Sequence, residues 1–185
     1  MTTQLRADAQ RNLERVLEAA AEAFAERGAD VSVDEIARRA GVGHATVFRR
    51  FPSKESLIAA IVCRRVDALT ALAAEALERP DAGEAFRDFV WHAGETFASD
   101  RALYDGLGRC VEIPEVAESK AKLNELVEQL IARAQASGAV RSDVGAEDVS
   151  LLVGSAIQAT RQSPDPDAWR RYLAVVLDGL RPPAA

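Results

Sequence analysis

Residues 32–54 read S-V-D-E-I-A-R-R-A-G-V-G-H-A-T-V-F-R-R-F-P-S-K, and this stretch decides the fold. Ser32 stands where a helix cap is wanted, and Glu35 gives the S-x-x-E spacing of a capping box. Ile36, Ala37 and Ala40 recur at helical spacing on one face. Gly41 then stops the helix, since glycine takes a left-handed backbone at least cost. Val42 is an apolar pin inside the turn. A second short helix is expected through His44, Ala45, Thr46, Val47, Phe48, Arg49 and Arg50, with Val47 and Phe51 facing inward. Pro52 ends it, because the residue before a proline avoids helical backbone. Two short helices around a glycine turn, the second one basic, make a helix-turn-helix.

The run from Val33 to Leu57, V-D-E-I-A-R-R-A-G-V-G-H-A-T-V-F-R-R-F-P-S-K-E-S-L, resembles the DNA-binding domain of tetracycline-repressor (TetR) family transcription regulators. The helix ending at Gly28 and the long helix after Pro52 are similar to that family as well. The specific match spans about a quarter of the chain, where capping, turn and basic register all agree. Beyond Leu57 it rests on length and helical character. One departure stands out: family members usually carry tyrosine where Phe48 stands and histidine where Arg50 stands. The tyrosine hydroxyl usually holds a DNA phosphate. Phe48 cannot, so the resemblance implies a larger share of the backbone grip for Thr46, Arg49 or Arg50.

Working outward, 48% hydrophobic residues with only 5% aromatic, over 185 residues, favour helix and allow a full core. The net charge of −6 argues against a nucleic-acid binder until its distribution is read. Residues 1–54 hold 9 basic and 8 acidic side chains, whereas 55–185 hold 14 and 21. Arg38, Arg39, Arg49, Arg50 and Lys54 therefore form a local basic patch on an acidic protein. Two cysteines cannot make a disulfide framework. No charged-then-apolar leader and no membrane-length apolar run appears, so a cytoplasmic protein is expected.

Along the chain, Met1 to Ala9 reads as a short, weakly ordered arm. Gln10 to Arg27 carries Leu13, Val16, Leu17, Ala20, Ala23 and Phe24 at helical spacing and braces the two short helices into a three-helix unit. Ser53 is a plausible cap for a helix to about Glu78, long enough to convey a packing change from one end to the other. Pro80-Asp81-Ala82-Gly83 breaks the pattern. Helix resumes through Phe86, Phe89, Val90, Ala93 and Phe97. A short piece holds Leu103, Tyr104 and Leu107, and a long helix runs from about Glu115 to Ala136. Helices from about Ala146 to Gln162 and around Trp169 to Leu180 finish the chain. The expected fold is all-α, about nine helices: a DNA-binding head at residues 1–52 and a helical ligand-sensing and dimerisation domain at 53–185.

Within the head, His44, Ala45 and Arg49 lie away from Val47 and Phe51 and are expected at base edges, arginine being the usual bidentate reader of guanine. Thr46, Arg50 and Lys54 suit phosphates, with Arg38 and Phe48 on the same DNA-facing surface. The bland alternative is a solvated basic face. In the last two helices, Val153, Gly154, Ile157, Trp169, Tyr172, Leu173 and Val176 offer more apolar surface than one core needs. They are assigned to a four-helix contact between two subunits, the alternative being intramolecular core. Cys63, Trp91, Phe97, Tyr104, Arg109 and Cys110 gather aromatic and polar groups where a small effector could bind. Ordinary core is the alternative there, and the pocket itself is implied by the resemblance.

No ligand spacing for a metal, no nucleophile elbow and no cofactor motif is present. The sequence therefore reads as a non-enzymatic, homodimeric regulator, a repressor of a palindromic double-stranded DNA operator released by a small molecule. Two other classes are left open: an α-helical small-molecule-binding protein or enzyme that retains a helix-turn-helix head, and an activator or nucleoid-type binder lacking any effector.

Overall fold

The computed structural model describes residues 2–27, 31–99, 110 and 112–183. Among these residues there are eight helices and no strand. They are α1 (Thr2–Arg27), α2 (Val33–Ala40), α3 (His44–Arg50), α4 (Lys54–Leu77), α5 (Ala82–Ser99), α6 (Pro114–Ala136), α7 (Ala146–Thr160) and α8 (Ala168–Gly179). The short piece expected around Leu103, Tyr104 and Leu107, and the stop at Gly28, lie outside the described residues. One boundary differs from expectation. The arm expected at Met1 to Ala9 is helical from Thr2 onward. Nothing between Thr2 and Ala9 is a glycine or proline, and extending an existing helix needs no new nucleus.

The chain divides into two compact units, Met1–Arg65 with Asp100–Ala117 and Val66–Ser99 with Glu118–Ala185. The division falls inside α4. In the first unit, Val16, Ala20 and Phe24 of α1 pack with Ile36, Ala37 and Ala40 of α2, Val47 of α3 and Leu57 and Ile61 of α4. Ile36, Val47 and Leu57 are essentially sealed from water. Each such side chain contributes about 1.5–3 kcal/mol of burial, so this small core fixes three helices against α1.

In the second unit, Phe86, Phe89 and Val90 of α5 meet Val127, Leu130 and Ile131 of α6, Val149, Val153 and Ile157 of α7, and Trp169 and Leu173 of α8. Trp91 lies 5.8 Å from Trp169, centroid to centroid, tilted by 46°. Gly94 lets α8 come close: a Cβ there would stand 2.5 Å from Leu173 Cδ2. Local chemistry sets the ends of the elements. Asp81 Oδ1 accepts the Glu84 N–H at 2.8 Å to start α5. Pro114 opens α6 at the position where a missing N–H costs nothing. Gly138, at φ +73°, takes the chain out of it. Asp148 accepts the Gly145 N–H at 2.9 Å to start α7. The end of α4 is closed from outside. The Arg133 guanidinium of α6 donates to the carbonyl of Leu77 and, at 2.8 Å, to that of Arg79.

Candidate nucleic-acid interface

The helix-turn-helix is built from its caps inward. Ser32 Oγ accepts the Glu35 N–H at 3.3 Å, which starts α2. The other half of the expected capping box is not made. The Glu35 carboxylate instead takes Arg27 Nη1 and Arg39 Nη2, each at 3.0 Å. Arg39 also reaches Glu26 at 2.8 Å, so the three-way bridge ties α2 to α1. Hydrogen bonds to Glu26 first and Glu35 second raise the pKa of the Arg39 guanidinium. Gly41 ends α2 at φ +64°, ψ 34°. The N–H groups of Gly41 and Val42 return to Arg38 O at 3.2 Å and Ala37 O at 3.0 Å. A Cβ at Gly41 would meet nothing within 4 Å, so backbone conformation rather than space calls for glycine there.

The second helix, α3, begins at Gly43 without a side-chain cap. Val47 and Phe51 are both buried, and they set its rotation. Successive residues advance about 100° around a helix. His44, Phe48, Ala45 and Arg49 therefore follow one another, in that order, across about 140° of outward surface. Thr46 and Arg50 form a second strip, and Val47 faces the core. All of His44, Ala45, Thr46, Phe48, Arg49 and Arg50 are exposed, and so is Arg38 on α2.

Their surroundings differ. His44 Nε2 stands 3.3 Å from Asp34 Oδ1, and its ring lies 5.0 Å from that of Phe48 at 55°. The Arg50 guanidinium lies over the Phe51 ring at 5.8 Å. Lys54 is half-buried, with its Nζ 5.7 Å from the centroid of Phe24, so it is drawn toward α1. Among the described residues, Arg38 and Arg49 make no ion pair or hydrogen bond through their side chains. A cleft of about 670 Å³ beside α3 is lined by Gln10, Leu13 and Val16 of α1 and by Thr46, Arg49 and Phe51. What this surface offers is a basic, partly apolar helix face on which the Arg49 guanidinium is uncommitted.

The residues assigned to an effector pocket are not brought together in one unit. Cys63, half-buried, and Cys110, buried, belong to the first unit. Trp91 and Phe97 belong to the second and pack against its core. Tyr104 and Arg109 lie outside the described residues. The second unit has one concavity of about 540 Å³ that includes Phe86, Arg87, Val140 and Leu180. Another, of about 440 Å³, includes Leu72, Glu75, Asp88, Phe89 and His92. Neither is lined by Trp91 or Phe97. Phe89 is read from the sequence as an inward apolar residue and Leu72 is not, and their meeting across α4 and α5 is not a sequence pattern.

The residues assigned to an intersubunit face divide between the chain's own core and its surface. Val153, Ile157, Trp169 and Leu173 are buried in the chain's own core, and Val176 packs against it half-buried. Gly154 is half-buried, and a Cβ there would meet nothing within 4 Å. Of the seven, Tyr172 is turned outward. The apolar groups left in water on α7 and α8 are Leu151 (63% exposed), Leu152 (42%), Tyr172 (51%) and Val175 (72%). Each helix carries two apolar faces, and the chain spends the richer one on itself. Among the described residues, no helix is long and apolar enough to cross a membrane.

Comparison with known proteins completes the site. Residues 16–61 match the family described as bacterial regulatory proteins, tetR family. Residues 81–182 match the family described as transcriptional regulator SbtR-like, C-terminal domain. Over 155 residues the chain is 32% identical to an uncharacterized HTH-type transcriptional regulator of Mycobacterium bovis, covering 82% of this chain and 80% of that protein. A crystal structure of a TetR transcription regulatory protein from Mycobacterium vanbaalenii is 36% identical, with a TM-score of 0.71, covering 96% of this chain and 99% of that one. A TetR transcriptional regulator from Streptomyces coelicolor is 30% identical with the same TM-score, 0.71, covering 93% and 99%.

Proposed function

Because the chain belongs to the TetR family of helix-turn-helix transcription regulators, we propose that it is a homodimeric repressor released by a small molecule held in its second unit. It is a DNA-binding regulator. The finer reading is that two copies of α3 enter successive major grooves of a palindromic operator in the cytoplasm. Their half-sites would lie about 34–36 Å apart. The observation that carries this reading is the exposed face His44–Phe48–Ala45–Arg49, held outward by buried Val47 and Phe51.

Arg49 reads guanine through its uncommitted guanidinium, while Thr46, Arg50 and Arg38 hold phosphates. Lys54, drawn toward Phe24, contributes charge at closer range to the protein than to the duplex. The outward strip Leu151, Leu152, Tyr172 and Val175 supports self-association, since a two-fold contact pairs one patch with itself. Release follows linkage. An effector that prefers one arrangement of α4 over another changes DNA affinity by its differential binding, about 5–150-fold for a coupling of about 1–3 kcal/mol.

Footprinting on the DNA upstream of its own coding sequence tests the reading. A protected palindrome with centres one helical turn apart is expected. Arg49→Ala should lose operator affinity by about 1–3 kcal/mol while binding random DNA as before. Equal losses on operator and random DNA would refute base reading by Arg49.

A further inference from the structure

The geometry points to a thymine-methyl reader at the centre of α3: the Phe48 ring, together with the Ala45 methyl, packs on the C5-methyl group of thymine in each operator half-site. This rests on the DNA-binding reading above and specifies what the recognition face reads. Phe48 is an aromatic ring left 48% exposed on a helix whose core positions are already filled by Val47 and Phe51. It therefore adds little to the fold, and its exposure calls for an occupant.

The position of the ring selects that occupant. On the outward strip it lies between His44 and Ala45, with Arg49 beyond Ala45, about 40° separating neighbours at either end and about 60° between the two apolar groups. The apolar pair thus sits in the middle of the face. A phosphate is the wrong partner, because phenylalanine has no hydrogen to donate to an anionic oxygen. In the major groove, thymine is the base that presents a methyl group, and phenylalanine and alanine are side chains suited to it.

The ring is also held in place. His44 leans on it at 5.0 Å, and Asp34 of α2 stands 3.3 Å from His44 Nε2. An apolar contact has no hydrogen-bond geometry to align it, so a ring of fixed direction is what makes it selective. Arg49, one residue on, reads guanine. Residues within one helical turn span about 5.4 Å along the axis, against about 3.4 Å per base step. The thymine therefore lies next to that guanine or one pair from it.

The test starts with selection of bound sequences from random duplexes by the full chain. Each thymine of the winning site is then replaced singly by 2′-deoxyuridine, which deletes the methyl and keeps the base pair. Binding is titrated by fluorescence anisotropy at one fixed salt concentration. At one or two thymines per half-site, beside or one pair from a guanine, the uracil duplex should bind about fourfold more weakly, the worth of one methyl taken from water. Phe48→Ala should shrink that difference to what the Ala45 methyl alone supplies, and Phe48→Tyr should keep it. Equal binding of every uracil duplex, or an undiminished difference in Phe48→Ala, overturns the proposal. If selection enriches no sequence at all, the sequence-specific DNA-binding reading fails first, and this one with it.

Discussion

Replacing Arg133 by methionine removes the outside closure of α4 and leaves the side-chain stem to pack. In the structure the guanidinium donates to the carbonyls of Leu77, the last residue of α4, and Arg79, two residues beyond it. Those oxygens have no partner within the helix, and the cation also faces the negative end of the helix dipole. A hydrogen bond to a charged group is worth about 1.5–3 kcal/mol, and the dipole adds about 0.3–1. Arg133 is half-buried, so water replaces part of what is lost and the lower values apply. Two bonds at the lower value plus the dipole give an expected cost of Arg133→Met of about 3 kcal/mol. For a chain of this length that is a fall of roughly 5–15 °C in Tm. Arg133→Lys, which can serve one carbonyl at a time, should fall about halfway between. Melting is followed by circular dichroism at one fixed protein concentration, because an associating protein's Tm depends on concentration. A methionine variant that melts within about 2 °C of the parent would refute the capping argument.

Three further outcomes follow from the same kind of reasoning. Gly94→Ala gains about 1 kcal/mol of helix propensity but drives a methyl to 2.5 Å from the sealed Leu173, an overpacking worth about 1–3 kcal/mol. It should destabilise the parent yet stabilise a Leu173→Ala background, and the same sign of effect in both would count against the clash. Asp165 accepts Arg171 Nη1 at 2.6 Å and the Asp167 N–H at 3.0 Å. The Arg171 bond first and the backbone bond second hold its pKa below the ordinary carboxylate value. A depressed folded pKa stabilises above the unfolded value of about 3.9, and that stability is lost as pH falls through the lower folded value. The Tm gap between parent and Asp165→Asn should thus be present at pH 6 and close as the solution is taken well below pH 4. A gap independent of pH would deny the pairing. Val175→Glu puts a charge on a side chain already 72% exposed, so the monomer should fold as before. Analytical ultracentrifugation should show the dimer weakened, and an unchanged dimer mass would clear this face of the role.

What could be read from the sequence was whatever depends on near neighbours along the chain. Ser32 and Gly41 act as read, because a cap or a left-handed turn is decided within a few residues. Ser53 does start α4, but in exchange with Ser56: each hydroxyl takes the other's backbone N–H, at 3.1 and 3.2 Å. Glu35 shows the limit. Its S-x-x-E spacing pointed back to Ser32, but Arg39 stands one turn on at i+4 and Arg27 comes from another helix, a partner that no local spacing reveals. The last two helices show it again. Their apolar periodicity was plain, yet whether Leu152 or Val153 faces inward depends on where α5 and α6 lie. Periodicity gives a helix two apolar stripes without ranking them. The uncommitted state of Arg49 was likewise legible only once every nearby carboxylate had a position.

One consequence of α4 remains, and it is mechanical. The helix passes through the division between the two compact units without a break, 24 residues in a single rod. At about 1.5 Å per residue it is about 36 Å long. A loop at that point would soak up a disturbance, whereas a rod multiplies it. Pivoting such a rod by about 5° carries its far tip about 3 Å, close to one base-pair step of about 3.4 Å. In the reading proposed above, an effector would need to shift side chains by only a fraction of an ångström near the pivot to put a reading head out of step with its groove.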